Sequence, residues 1–168
     1  MPSTYWHYAV DYDGDDAINL QNSRLDAFAS AGNYLKKSGW KKDTPWGVQV
    51  DLPWNFDYNL GGREHIRKIK YWKQSGIKTN LPADMSGEKA YIVLPEGRRG
   101  NAYMVMQNFD VIMKWTRSVN YALAVGLLAD YVASNKPWEA VENEVYQITR
   151  ADIKKIQKFY NKHWKQKL

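Results

Sequence analysis

The sequence predicts an α+β fold: helices around a small antiparallel β-sheet, with an EF-hand-like metal loop near the N-terminus. Three observations predict it. Apolar residues recur at helical spacing over 25–37 and again over 118–133. Between these stretches lie short apolar runs of strand length, closed by Pro and Gly. Ahead of them all, carboxylates alternate at Asp11, Asp13 and Asp15, and an aliphatic residue, Ile18, stands at the eighth position.

Taken in order, residues 1–10 are rich in aromatics and read as mixed loop and helix, and the acidic loop covers 11–26. Leu25 to Lys37 follows as a helix, with Leu25, Phe28, Ala29, Ala31 and Leu35 as its apolar positions and Ser38–Gly39 as its stop. Trp46 to Leu52 alternates as a strand does, until Pro53 removes a backbone donor. Arg63 to Gln74 reads as one helix with Ile66, Ile69 and Trp72 on a face, and Ile77 to Thr79 as a short extended piece. Lys89–Leu94 and Ala102–Met106 read as an antiparallel pair across the Arg98–Asn101 turn. Phe109–Lys114 is a short helix, and Ser118–Ala133, the most apolar one, is expected to be buried. Thr149-Arg-Ala-Asp152 has the form of an N-cap for a last helix ending near His163. The segments sort into 1–40 (loop and first core helix), 41–107 (a small α+β subdomain), 108–136 (core helices) and 137–168 (a helical tail).

Composition narrows the function classes. A chain of 168 residues, 44% hydrophobic, holds a real core. Aromatic residues reach 14%, with eight Trp and twelve Tyr, more than such a core requires; surplus aromatic faces stack on sugars or fill interfaces. The formal charge of +6 favours polyanionic surroundings. It is spread along the chain and no nucleic-acid motif accompanies it, so nucleic acid is not the expected partner. The absence of cysteine excludes disulfides and thiolate chemistry. No apolar run has membrane-spanning length, and Met1–Tyr5 shows no signal-peptide pattern. His7, His65 and His163 lack ligand spacing.

The acidic loop is the candidate metal site. Calcium (Ca2+) takes many oxygen ligands, and alternate residues of a tight loop can all point inward. On spacing, Asp11, Asp13 and Asp15 offer carboxylates and Ala17 its carbonyl. The usual sixth-position Gly is replaced by Asp16, a residue that tolerates left-handed backbone, and the twelfth position is Asn22, where a Glu is usual. A metal-free acidic turn is the alternative.

An ordered set of motifs adds a family resemblance. It comprises Met1-Pro-Ser-x-Tyr5, Tyr8-Ala-Val-Asp-Tyr-Asp-Gly-Asp15, Asp26-Ala27 with Gly32-Asn-Tyr-Leu35, Gly39-Trp40, Leu52-Pro-Trp-Asn-Phe-Asp-Tyr58, Leu94-Pro-x-Gly97, Asn108-Phe-x-Val-Ile112 and Ser118-x-x-Tyr121 running on to Asp130. This set resembles the C-terminal half of the lytic murein transglycosylase B family, from residue 1 to about 133. The resemblance implies a periplasmic or cell-envelope enzyme that cuts peptidoglycan glycan strands between N-acetylmuramic acid and N-acetylglucosamine and leaves a 1,6-anhydromuramic end. It implies Asp26 as the acid that closes the metal loop. It implies Tyr34 as a groove aromatic, and a second groove segment at Trp115, Thr116 and Tyr121. There the family pattern Tyr-Asn-x-Ser-x-x-Tyr is altered to Trp-Thr-Arg-Ser-x-x-Tyr. The alternative for Trp115 and Tyr121 is packing between helices.

The family's catalytic glutamate lies in a Glu-Ser motif upstream of the Met-Pro-Ser segment, and this sequence opens at Met-Pro-Ser. None of Glu64, Glu88, Glu96, Glu139, Glu142 or Glu144 stands out as a substitute. The expectation is therefore a chain that supplies the metal loop and part of the glycan groove, is inactive alone, and has the missing N-terminal half as its partner. The other expectation is a non-catalytic, calcium-stabilised peptidoglycan-binding module. The basic and aromatic stretch Arg63–Trp72 is expected to be a solvated face. The tail from Pro137 is expected to be a docking helix.

Overall fold

The computed structural model describes residues 2–134 and 149–163. Two compact units are distinguished, Met1–Trp138 and Glu139–Leu168. The first contains α1 (Pro2–Tyr8), α2 (Arg24–Lys37), β1 (Gly47–Val50), β2 (Arg67–Lys68), α3 (Ile69–Gln74), β3 (Lys89–Val93), β4 (Ala102–Val105), α4 (Gln107–Trp115) and α5 (Val119–Ser134); the second contains α6 (Arg150–His163). This is the α+β class that the sequence predicts.

The strands form one antiparallel sheet in the order β1-β4-β3-β2. β3 and β4 are the inner strands, paired Tyr91 to Val105 and Val93 to Tyr103. Their side chains alternate between two cores because successive residues of a strand point to opposite faces. Ala90, Ile92, Ala102 and Met104 join Ile69, Trp72 and Ile77 on one face. Tyr91, Val93, Tyr103 and Val105 join Trp46, Phe109, Ile112 and Leu123 on the other. Both faces are covered, so these strands read as near-continuous apolar runs.

Three expectations are corrected. Arg63 to Gln74 is not one helix. A 3-10 turn at Arg63–His65 is followed by the short strand β2, whose Arg67 and Lys68 pair with Ala90 and Lys89, and only Ile69–Gln74 is α-helical. Pairing with the sheet edge takes the backbone that a helix would have used. The hairpin loop is longer than a tight turn and contains a 3-10 turn at Gly97–Arg99. α5 is not buried all round: only Ala122, Leu123 and Gly126 are, while Leu128 is 61% and Val132 71% exposed.

α5 seats on the sheet by its smallest residue. Trp46 lies over Gly126, where a Cβ would stand 2.5 Å from two indole carbons, and the Trp46 Nε1–H donates to Asp130 Oδ2 at 2.9 Å. The indole is a rigid ring held in the core, so it cannot swing aside as a flexible side chain would. Gly126→Ala is expected to destabilise the fold by about 1–3 kcal/mol through overpacking. The urea midpoint of the chain reads this; an unchanged midpoint would mean that α5 can lift at no cost.

Thr149 and Asp152 cap α6 reciprocally, as their spacing predicts. The Asp152 N–H donates to Thr149 Oγ1 at 3.2 Å and the Thr149 N–H to Asp152 Oδ2 at 3.0 Å.

Candidate functional site

The acidic loop closes on the start of α2. Ser23 is the N-cap, its Oγ accepting the Asp26 N–H at 3.2 Å and donating to Asp13 Oδ2 at 2.7 Å. Asp11 organises the first half of the loop: Oδ1 accepts the Gly14 N–H at 2.7 Å and Oδ2 the Asp16 N–H at 2.9 Å. Gly14 and Asp16 both have positive φ, 77° and 64°, so Asp16 takes the left-handed backbone for which the sequence allows. Asp26 organises the rest. It is fully buried, and its two oxygens accept the N–H groups of Tyr12 and Asn19, each at 2.8 Å. These two backbone donors, Asn19 foremost, hold its carboxyl below the usual aspartate range despite the opposing effect of burial.

Asp11, Asp13 and Asp26 converge, with one oxygen of each lying within 4.8 Å of the others. Two oxygens that share a calcium ion at about 2.4 Å can be no farther apart than about 4.8 Å, so the spacing fits such an ion. Asp15 stands outside this group; its Oδ1 accepts the Ala17 N–H at 2.9 Å, which turns the chain at Ala17. Ile18 does not anchor the loop in either core. It is 37% exposed, and its carbonyl accepts the Tyr5 hydroxyl at 3.0 Å. Anchoring falls instead to Asp26 and to Ser30, whose Oγ accepts the Val10 N–H at 2.9 Å. The sequence signal for this was Ser23-x-x-Asp26, a capping pattern.

The apolar face assigned to α2 is also corrected. Its buried residues are Asp26 and Ser30, while Leu25 is 54% and Phe28 76% exposed. The loop's polar anchors occupy the inner face, and the large apolar side chains are left outside.

The C-terminal end of α2 is held to both ends of α4. Lys114 Nζ donates to the Ser38 carbonyl at 2.7 Å and Gln107 Nε2 to the Gly39 carbonyl at 3.1 Å. Buried Asn108 ties the next segment: its Oδ1 accepts the Lys41 N–H at 2.8 Å, and its Nδ2 donates to the carbonyls of Lys41 at 2.8 Å and Thr44 at 2.6 Å. These bonds bring Tyr34 and Trp115 together. Tyr34 packs edge-on against Tyr8, 4.7 Å between centroids, and against Trp115 at 5.8 Å. The three rings line a cleft of about 710 Å³ with Tyr5, Ser30 and Lys114. Tyr8 opens one of the sequence motifs but was not among the residues expected in the groove.

Thr116 and Tyr121 are placed differently. Thr116 Oγ1 accepts the Ser118 N–H at 3.2 Å, and the Tyr121 N–H donates to Ser118 Oγ at 3.3 Å; neither side chain lines the cleft. Tyr121 is exposed at the start of α5. Among the described residues the cleft lining offers aromatic faces, hydroxyls and the ammonium group of Lys114, and no carboxyl group. Such a surface can stack on sugar C–H faces and orient hydroxyls. Proton transfer to a glycosidic oxygen needs an acid within hydrogen-bond reach. Glu64, Glu88 and Glu96 are exposed and apart from the cleft, and Glu139, Glu142 and Glu144 lie outside the described residues.

Residues 1–130 match the family described as the transglycosylase SLT domain. The chain is 33% identical over 137 residues to membrane-bound lytic murein transglycosylase B of Escherichia coli (strain K12), covering 79% of this chain and 36% of that protein. Among solved structures it is similar to SltB3 of Pseudomonas aeruginosa in complex with NAG-anhNAM-pentapeptide, at 45% identity and TM-score 0.75, over 79% of this chain and 36% of that one. It is also similar to the Escherichia coli lytic transglycosylase Slt35 in complex with calcium, at 30% identity and TM-score 0.64, over 80% and 42%. The chain belongs to the transglycosylase SLT domain family. It spans well under half the length of these relatives.

Proposed function

We propose that this chain is part of a peptidoglycan lytic transglycosylase of the cell envelope, one that cleaves glycan strands between N-acetylmuramic acid and N-acetylglucosamine to 1,6-anhydromuramic ends. Its own share is the metal loop and one wall of the glycan groove. The observation that carries this is the row Tyr8–Tyr34–Trp115 along a cleft in a chain of this family. Sugar rings stack on these faces, Thr116 and Tyr121 meet the strand further along, and Lys114 is placed beside it. In this reading a glutamate that is not among the residues lining the cleft protonates the glycosidic oxygen and then accepts the proton of the muramic C6 hydroxyl.

The loop holds calcium in this reading. Asp11, Asp13 and Asp26 are the convergent carboxylates, and Asp15 and the Ala17 carbonyl complete the set on binding. A structural calcium would neutralise these acids and lock the loop to α2. The similarity to Slt35, solved with calcium, supports the choice of ion.

The partner is the remaining, N-terminal half of such a catalytic domain. Leu25 and Phe28 on α2, Trp6 on α1, and Leu128 and Val132 on α5 are the exposed apolar side chains that it would cover. Isolated chains that leave such patches open self-associate.

The aromatic and hydroxyl lining of the cleft among the described residues also suits a second reading, a non-catalytic, calcium-stabilised module that binds peptidoglycan. One experiment bears on both. Purified peptidoglycan is incubated with the chain and calcium, and the products are analysed by mass spectrometry beside a full-length relative. The expected result is no 1,6-anhydromuropeptide from this chain, together with its retention on the insoluble sacculi. Release of anhydro ends would place an acid within this chain, and absence of retention would remove the groove from both readings.

A further inference from the structure

A second cleft, of about 530 Å³, has a charged wall and an apolar floor. The wall is made by Arg63 and Asp110. Asp110 lies in the first turn of α4, its Oδ1 accepting the Tyr91 hydroxyl at 2.9 Å and facing Arg63 Nε at 3.3 Å. Both contacts run through Asp110 Oδ1, and Arg63 meets it through Nε, the inner nitrogen of its guanidinium. The Arg63 side chain is 70% exposed, against 22% for Asp110, so the cation is free to adjust over a fixed carboxylate. Tyr91 does the fixing. Burial, and then the charge of Asp110, push its phenol well above the usual tyrosine range, so it remains a proton donor toward Asp110 at every physiological pH. Leu94, Phe109 and Met113 supply the floor.

This arrangement selects for charge. A simple anion that approaches Arg63 meets Asp110, and a simple cation that approaches Asp110 meets Arg63. Only a ligand carrying both charges a few ångströms apart satisfies both groups. An apolar floor beside them suits a ligand whose charged head ends an aliphatic stem. The cleft falls in the size range of small-ligand sites, about 300–1,000 Å³. Exposed ion pairs such as Arg63–Asp110 contribute little to stability, so a ligand can open this one readily.

We propose that this cleft binds the zwitterionic α-amino-acid head of a peptide side chain, with its ammonium on Asp110 Oδ2, its carboxylate on the outer edge of Arg63, and its stem along Leu94, Phe109 and Met113. The proposal rests on the peptidoglycan reading, which supplies such peptides, and adds to it a peptide subsite separate from the aromatic cleft.

The test is an NMR titration of the full chain with the tripeptide L-alanyl-γ-D-glutamyl-meso-diaminopimelate, whose last residue ends in a free ammonium and carboxylate beyond three methylene groups. Saturable shifts at Asp110 and Arg63 are expected. Acetylating the free amine of the diaminopimelate (the alanine amine being blocked in both peptides), Asp110→Asn and Arg63→Gln are each expected to weaken binding at least tenfold. Asn keeps an acceptor for Tyr91 and Arg63 is exposed, so both variants are expected to melt as the parent does. No saturable binding, or equal binding of the acetylated peptide, would overturn the proposal, as would full affinity in the Arg63→Gln chain. Peptide-free glycan strands, titrated separately, read the aromatic cleft. If they fail to bind while the tripeptide binds, the groove reading falls and the peptide site stands.

Discussion

Asn108→Ala is expected to lower the melting temperature of the chain by roughly 6–12 °C. Asn108 is fully buried and uses both ends of its amide to hold the backbone at Lys41 and Thr44. Alanine leaves one N–H and two carbonyls without that partner. A buried polar group left unpaired costs about 1–3 kcal/mol, so a total near 3 kcal/mol is a conservative sum. For a chain of this size each kcal/mol moves the melting temperature by about 2–4 °C. Circular dichroism reads the shift; no shift would mean that water replaces the amide inside the fold. The same substitution should loosen Trp115 from Tyr34, because Asn108 sits on the helix that ends in Trp115. Retention on sacculi should fall even at temperatures where the chain remains folded.

The second large effect concerns the loop. Calcium at a hundred times its dissociation constant is expected to stabilise the chain by about 2.7 kcal/mol, through binding to the folded state alone. That corresponds to roughly 5–11 °C in melting temperature. Asp26→Ala should abolish the rise, because it removes a convergent carboxylate and frees the N–H groups of Tyr12 and Asn19 that shape the loop. Asp15→Ala should keep part of the rise, since Asp15 lies outside the convergent trio. Melting curves with calcium and with a chelator separate the cases. An equal rise in the Asp26→Ala chain would mean that the ion binds elsewhere, and no rise in the parent chain that it does not bind.

Much of this fold was legible in the sequence, and the parts that were not share a cause. α2, β3, β4 and α5 fall close to their expected places because capping residues and apolar periodicity mark them. Periodicity locates an apolar stripe without saying what lies against it. On α2 the stripe of Leu25 and Phe28 faces outward, and the inner face belongs to Asp26 and Ser30, which serve the loop. On α5 the apolar content was read as burial, although one side of the helix has no cover among the described residues. β2 was invisible for another reason: two exposed basic residues carry no strand signal, and only the edge of β3 gives them one. At the candidate site, Tyr34 and Trp115 came from motif resemblance, and their meeting depends on Asn108 and Lys114, whose bonds span the chain from residue 38 to residue 114. Sequence spacing does not reveal bonds of that range.

The strand order also bears on how the chain finds its fold. β3 and β4 are neighbours in sequence, and Val93 reaches Tyr103 across a single loop. β1 reaches the same β4 from far upstream, Val50 meeting Ala102, so it must wait until β4 exists. Closing the longer loop costs more chain entropy than closing the shorter one. The hairpin is therefore the expected first-formed element, with β1 and Trp46 docking later and preparing the seat for Gly126. A ribosome releasing this chain holds β1 unpaired until residue 105 has emerged. During that interval an unpaired strand and its neighbouring tryptophans stand open to chaperones or to a second nascent chain.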